Sequence, residues 1–226
     1  MKRRRFYFQE NGGDSDKAFN ESINHAHRSL LVESISSHAP LDSALEIGCN
    51  TGPNLYLLSL QYPNAKLYGI DINSEVIEDG KDQLSMRGIN NVFLSFGKAD
   101  SLKSFSNKSV DIVFTDAVIM YIGPDKIGGI LKEAVRIARK AVILNEWHME
   151  SESLKFKKEY KYHYGHWIWD FHKLCAPYVP PERVRITRIP KELWNDANWN
   201  EFGAIIEMNL CRTYNETSES HTPLTS

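Results

Sequence analysis

Two groups of residues in this chain have types and spacings that could do chemistry. The first is Leu45-Glu46-Ile47-Gly48-Cys49-Asn50-Thr51-Gly52-Pro53-Asn54. A short apolar run ends there, a loop with glycine at both turns follows, and a proline opens a helix. Glycine lets a ligand approach the backbone closely, and the free N–H groups at a helix start favour a carboxylate or phosphate. A second acid, Asp71, closes the next apolar run in Tyr68-Gly69-Ile70-Asp71. An acid at that place suits a bidentate grip on ribose hydroxyls. A dinucleotide loop would need G-x-G-x-x-G, whereas this one has G-x-x-x-G followed by Pro and Asn. It lacks the middle glycine that admits a pyrophosphate and the third that packs helix on strand. A ligand with a ribose and no phosphate fits better.

The second group is aromatic and basic. All five tryptophans lie between Trp147 and Trp199, and four of the eight histidines lie between His148 and His172. Asn145-Glu146-Trp147-His148 is followed by Tyr160-Lys161-Tyr162-His163-Tyr164-Gly165-His166-Trp167-Ile168-Trp169. Tyr and Trp join an apolar surface to a polar tip, so such a wall can hold a small substrate and exclude water. Its faces also attract a cation. A hydroxyl substrate that must lose a proton needs a base, and histidine is the natural one near neutral pH. His148, His166 and His163 are the candidates, with Tyr164 and Tyr121 behind them. The bland alternative is a set of structural hydrogen-bonders, with Trp167, Trp169 and Phe171 forming the core face of a helix. His163 and His166, with His148 and Glu146 nearby, raise the question of a metal. Zinc favours Cys and His, no Cys sits close by, and no functional metal is expected.

Short elements in strict alternation must position these groups. A helical pattern runs from Asp14 to about His38, with Phe19, Ile23, Leu30, Leu31 and Ile35 on one face, and Pro40 ends it. Strands are expected at Ala44–Ile47, Lys66–Asp71, Asn91–Phe96, Val110–Thr115 and Ala141–Asn145. Helices are expected at Pro53–Gln61, Ser74–Met86 and Asp125–Arg139. The βαβα order implies a mainly parallel sheet with helices on both faces, and ligands bind such sheets at the carboxyl ends of the strands. Arg183–Ile189 and Phe202–Cys211 read as a closing antiparallel pair. Lys155, Lys157, Lys158 and Lys161 are interleaved with Glu150, Glu152 and Glu159, the pattern of a solvated helix face.

Composition bounds the function. The chain has 226 residues, 27 basic and 29 acidic, for a net charge of -2, with 42% hydrophobic and 25% charged residues. That is one globular domain with a modest insertion. It argues against a dedicated nucleic-acid binder, which needs a basic face. Cys49, Cys175 and Cys211 form no CxxC pair and suggest a reducing compartment. No apolar run approaches membrane-spanning length. Arg3-Arg4-Arg5 precedes too short an apolar stretch for a secretory signal and reads as a solvated tail. Asn20, Asn107 and Asn215 are then chance matches to the glycosylation triplet, and a cytoplasmic location is expected.

At this point the sequence resembles the class I S-adenosylmethionine-dependent methyltransferases, over roughly residues 42–146. Glu46 to Gly52 looks like their glycine motif, and Asp71 stands at their ribose acid. Gly97-Lys98-Ala99-Asp100 follows the third strand, and Val110 to Tyr121 looks like their fourth-strand motif. The resemblance implies an α/β, Rossmann-like, seven-stranded, mostly parallel sheet with its last strand antiparallel, an N-terminal helix and an aromatic insertion after strand five. It divides the single domain into an N-terminal cap (1–40), a cofactor-binding core (41–146), a substrate-facing insertion (147–182), closing strands (183–212) and a disordered tail (213–226). It implies S-adenosylmethionine as cofactor, held by Glu46, Gly48, Asn50, Gly52, Asp71, Ile72, Asp100, Asp116 and Tyr121, with Met120 packed near it. Glu46 would sit near the methionine amine and Asp100 near the adenine amino group. Thr115-Asp116-Ala117-Val118 lacks the D/N-P-P-Y/F/W pattern of many base and amide methylases, which lowers the odds of an adenine or glutamine-amide acceptor; methyl transfer to an oxygen or nitrogen of a small molecule is the expectation. A homodimer is left open. The competing readings are a nicotinamide-dependent oxidoreductase and a non-catalytic cofactor-binding partner subunit.

Overall fold

The computed structural model describes residues 15–150 and 159–211. The Arg3-Arg4-Arg5 segment, Glu152, Lys155, Lys157, Lys158 and the 213–226 tail lie outside the described residues.

A wholly buried strand, β1 (Ser43–Ile47), stands at the centre. Helix α3 (Pro53–Gln61) follows it, started by Gly52 in the left-handed region with Pro53 in its first turn. Next come β2 (Lys66–Asp71), α4 (Ser74–Met86) and β3 (Val92–Phe96). The Asn73 side chain caps α4 by accepting from the Glu75 N–H. Then come β4 (Val110–Asp116), a 3₁₀ turn (Ile119–Tyr121), α5 (Ile127–Ile137) and β5 (Ala138–Trp147). In α5 the buried Ile127, Ile130, Leu131, Ala134 and Ile137 follow helical spacing. Closing the sheet are β8 (Val184–Arg188) and β9 (Gly203–Asn209).

The seven-stranded order is β3-β2-β1-β4-β5-β9-β8. β9 is antiparallel to both neighbours, β5 and β8, and the other pairings are parallel. Leu45, Val113, Val142 and Leu131 belong to a core on one face, and Leu31, Leu55, Leu67 and Ile112 to a core on the other. The expected architecture is therefore present, and the ends of the expected α3, β2 and α4 coincide with those observed.

Two elements differ from expectation. The single N-terminal helix is two, α1 (Ser15–Ile23) and α2 (His27–Ser36). The break is clamped by side chains. Asn24 Nδ2 donates to the Asn20 carbonyl, and Arg28 donates to the Ser22 carbonyl and hydroxyl. Such local bonds compete with the helix ladder. The insertion contains a hairpin, β6 (Tyr160–His163) and β7 (His166–Trp169), followed by α6 (Phe171–Cys175). Its turn is Tyr164 (φ 44°) and Gly165 (φ 86°), the positive-φ pair that two-residue hairpins require. Trp167 and Trp169 thus lie on a strand, opposite Tyr162 and Tyr160. Their spacing of two was the strand signal. Phe171 is buried in the core. Among the described residues, no helix is long and apolar enough to cross a membrane.

Candidate active site

The loop after β1 wraps against the end of β2. Gly48 and Cys49 N–H groups both donate to the Ile70 carbonyl, at 2.7 and 3.0 Å. Gly48 has φ 77°, and a Cβ there would lie 2.4 Å from Val118 Cγ2. Asn50 also has positive φ, 51°. Asp71 ties loop to strand. Its Oδ2 accepts from the Asn50 N–H at 3.0 Å and its Oδ1 from the Asn73 N–H at 2.9 Å. Each oxygen keeps a second lone pair. The adjacent Ile72 is 63% exposed, an apolar side chain held at the strand edge. The chain therefore presents a glycine loop, a carboxylate with lone pairs to spare and an apolar ledge side by side.

Behind the loop lies a network of buried polar groups. Glu46 is 1% exposed and its Oε1 accepts from Asn54 Nδ2 at 2.7 Å. Its Oε2 is buried with no hydrogen-bond partner among the described residues. Burial pushes the Glu46 carboxyl well above the usual carboxylate range. The same Asn54 Nδ2 donates to Asp116 Oδ2 at 3.0 Å. Asp116 also receives Arg28 Nη1 at 2.9 Å, His27 Nε2 at 3.0 Å and, on Oδ1, Asn145 Nδ2 at 2.7 Å. Asp116 and Asn145 are register partners on β4 and β5. Burial opposes ionisation of Asp116, but the His27, Arg28 and Asn54 contacts outweigh it and hold the pKa far below its ordinary value.

Next to this network stands the aromatic wall. Tyr121, on the 3₁₀ turn, meets His166 edge-on with centroids 4.9 Å apart, and His166 lies 5.0 Å from Trp147. Trp147 continues to Trp199 at 6.2 Å and Phe202 at 6.0 Å. Met120 is buried in this cluster. His163 packs on Tyr164 and Phe202, and Tyr164 at the hairpin tip is 79% exposed. Glu146, at the end of β5, supports the wall from beneath. It accepts from Thr115 Oγ1 and the Val118 and Met120 N–H groups, and burial raises its pKa to about 7.

His148 has a different setting. It is fully buried, its Nδ1 accepts from the Phe171 N–H at 3.3 Å, and its Nε2 lies 2.8 Å from Glu150 Oε1. His172, Glu150 and His148 bring their donor atoms within 4.8 Å of one another, a grouping with the chemistry of a metal site. The Phe171 contact decides against it. An Nδ1 that accepts leaves the proton on Nε2, which then donates to Glu150 and has no lone pair for an ion. His148 joins β5 to α6 rather than facing an open cleft.

Asp100 is exposed and paired with Lys126 at 3.4 Å. Sequence reasoning missed His27, Arg28 and Asn54, and read Asn145 only as part of a strand end. No local pattern marks the first two, because their partner is 89 and 88 residues away.

A model of the methyltransferase domain matches residues 38–201. The chain belongs to the methyltransferase domain family. Members of the class that this fold and glycine loop represent draw their methyl group from S-adenosylmethionine. Over 136 residues the chain is 27% identical to a tRNA (guanine-N(7)-)-methyltransferase from Prochlorococcus marinus, covering 50% of this chain and 65% of that protein. It is 23% identical over 101 residues to a trans-aconitate 2-methyltransferase from Methylobacterium radiotolerans, covering 43% of this chain and 36% of that one. The matches thus span less than two thirds of the length of either relative. The fold is shared with geranyl diphosphate C-methyltransferase from Streptomyces coelicolor, solved with Mg2+, geranyl diphosphate and S-adenosyl-L-homocysteine. That match has a TM-score of 0.62 and 12% identity, and covers 88% of this chain and 84% of that one.

Proposed function

We propose that this chain transfers a methyl group from S-adenosylmethionine to an oxygen or nitrogen nucleophile of a small molecule. The observation that carries the reading is the buried Glu46 Oε2, a carboxyl oxygen without a hydrogen-bond partner among the described residues, set behind a glycine loop and beside Asp71. Those residues suit a ligand with an ammonium, a ribose and no phosphate. Glu46 would bind the methionine amine, Asp71 the ribose hydroxyls and Ile72 the adenine face. Asn50, Gly48 and Gly52 shape the loop. Asp116 acts through Asn54 rather than by direct contact, and Tyr121 belongs to the acceptor wall.

Bound S-adenosylmethionine supplies a methyl carbon already activated by its positive sulfur. The chain's own task is alignment, which can provide much of the barrier reduction. The Tyr121–His166–Trp147 wall excludes water and places the acceptor. His163 and Tyr164 flank it on the hairpin. A hydroxyl or ammonium acceptor also loses a proton, for which a histidine is the natural base.

A labelled-methyl assay tests the reading. Purified protein and methyl-labelled S-adenosylmethionine are incubated separately with hydroxy acids, polycarboxylates, amines and unmodified tRNA. Label in a small-molecule fraction is expected. Label in tRNA alone would replace the small-molecule reading with that of the tRNA-modifying relative.

A further inference from the structure

The N-terminal cap brings a second set of histidines to the end of β4. His27 Nε2 lies 3.0 Å from Asp116 Oδ2, and His27 Nδ1 lies 2.5 Å from His25 Nδ1. An ionised carboxylate only accepts, so His27 Nε2 carries the proton of the first contact. In its neutral form His27 offers a lone pair at Nδ1 to a proton on His25 Nδ1. That leaves His25 Nε2 as a lone pair on the far side of its ring. His27 is 4% exposed whereas His25 is exposed. The bonds therefore run from a buried anion to an accepting nitrogen at the surface.

The rings are held in place. Trp194 stacks on His27 with centroids 4.0 Å apart and lies 5.0 Å from the His25 ring, and Trp199 stacks on Trp194 at 3.7 Å. Arg28 and Asn54 keep Asp116 ionised by direct hydrogen bonds. Asn54 bonds Glu46 as well, so one amide separates the relay from the carboxylate assigned to the methionine amine.

We propose that His25, His27 and Asp116 form a proton relay in which His25 Nε2 deprotonates a hydroxyl or ammonium acceptor. The proposal rests on the methyltransferase reading. The acceptor proton goes to His25 Nε2 and the His25 Nδ1 proton passes to His27 Nδ1. His27 becomes an imidazolium paired with Asp116. The freed lone pair of the acceptor forms the bond to the methyl carbon as the carbon–sulfur bond breaks, and that electron pair stays on sulfur. The stored proton leaves through His25 to solvent. His27 and Asp116 are positioning residues, and the hairpin histidines line the acceptor without taking its proton. The acceptor class narrows accordingly, because a carboxylate or thiolate would need no such relay.

Long-range 1H–15N spectra of the histidine-labelled full chain test this. The relay predicts His25 as the Nδ1–H tautomer and His27 as the Nε2–H tautomer. In H27Q, His25 should lose that preference, and in D116N so should His27. H25Q, a change at an exposed position, should bind S-adenosylhomocysteine within about twofold of wild type, as befits a group that contacts only the acceptor. His25 found as the Nε2–H tautomer, or indifferent to H27Q, would overturn the relay. Failure of the wild-type protein to bind S-adenosylhomocysteine would instead remove the methyltransferase reading beneath it, whatever the tautomers.

Discussion

Glu46 and Glu146 are both buried carboxylates, yet their surroundings differ. Glu146 has protein donors on both oxygens, from Thr115 and the backbone of Val118 and Met120. Its pKa is still raised from 4.5 to about 7, because burial outweighs those bonds. A carboxyl with a raised folded-state pKa contributes stability below about pH 4.5 that is lost as pH climbs through about 7. E146Q should flatten this slope in thermal melts taken across that window. A slope unchanged by the substitution would assign the pH dependence elsewhere. Glu46 has one oxygen with a donor and one without. A proton and a ligand ammonium then compete for it. S-adenosylhomocysteine affinity should fall as pH is lowered, and E46Q should weaken binding by about 10- to 100-fold and remove most of that dependence. Titration calorimetry at several pH values reads both effects. Asp71 stood out in the sequence as an acid closing a strand, whereas Glu46 was marked only by the resemblance to the methyltransferase glycine motif. His27 and Arg28 were not, since ordinary polar residues in a helical pattern carry no mark of a distant partner.

At the scale of elements, glycines show where close approach is obligatory. Gly80 lies inside α4, where alanine is normally better by about 0.5–1 kcal/mol. Here a Cβ would lie 2.5 Å from the Thr51 carbonyl oxygen in the glycine loop. G80A is therefore expected to destabilise by about 1–3 kcal/mol, as overpacking does. It should also weaken cofactor binding, because Thr51 cannot retreat without moving the loop. A denaturation midpoint equal to or above wild type would show that α4 yields instead. The parallel strands and α3 and α4 were readable because apolar runs, Pro53 and amphipathic spacing mark them locally. The break between α1 and α2 was not, since the Arg28–Ser22 clamp is a tertiary-style contact inside a helical pattern. The hairpin was not assigned from the sequence, although the spacing of two between Trp167 and Trp169 carries a strand signal.

Over the whole molecule, the N-terminal cap is joined to the sheet through the Arg28–Asp116 pair, whose side chains are 12% and 8% exposed. Removing Arg28 costs about 1.5–3 kcal/mol, the worth of a hydrogen bond to a charged group, since Asp116 keeps His27, Asn54 and Asn145 as donors. R28A should thus lower stability by that order and expose the α1–α2 segment to proteolysis before the sheet. Simultaneous loss of both would mean that the cap has no independence. In the proposed reading the sheet, the loop and the wall converge on one edge, where a ligand with an ammonium and a ribose would meet Glu46 and Asp71. Isothermal titration with S-adenosylhomocysteine, using NAD and NADP as controls, tests that claim most directly. Micromolar binding of S-adenosylhomocysteine alone is the expected result. No heat with it, or a preference for NAD, would contradict the assignment of the glycine loop and everything built on it.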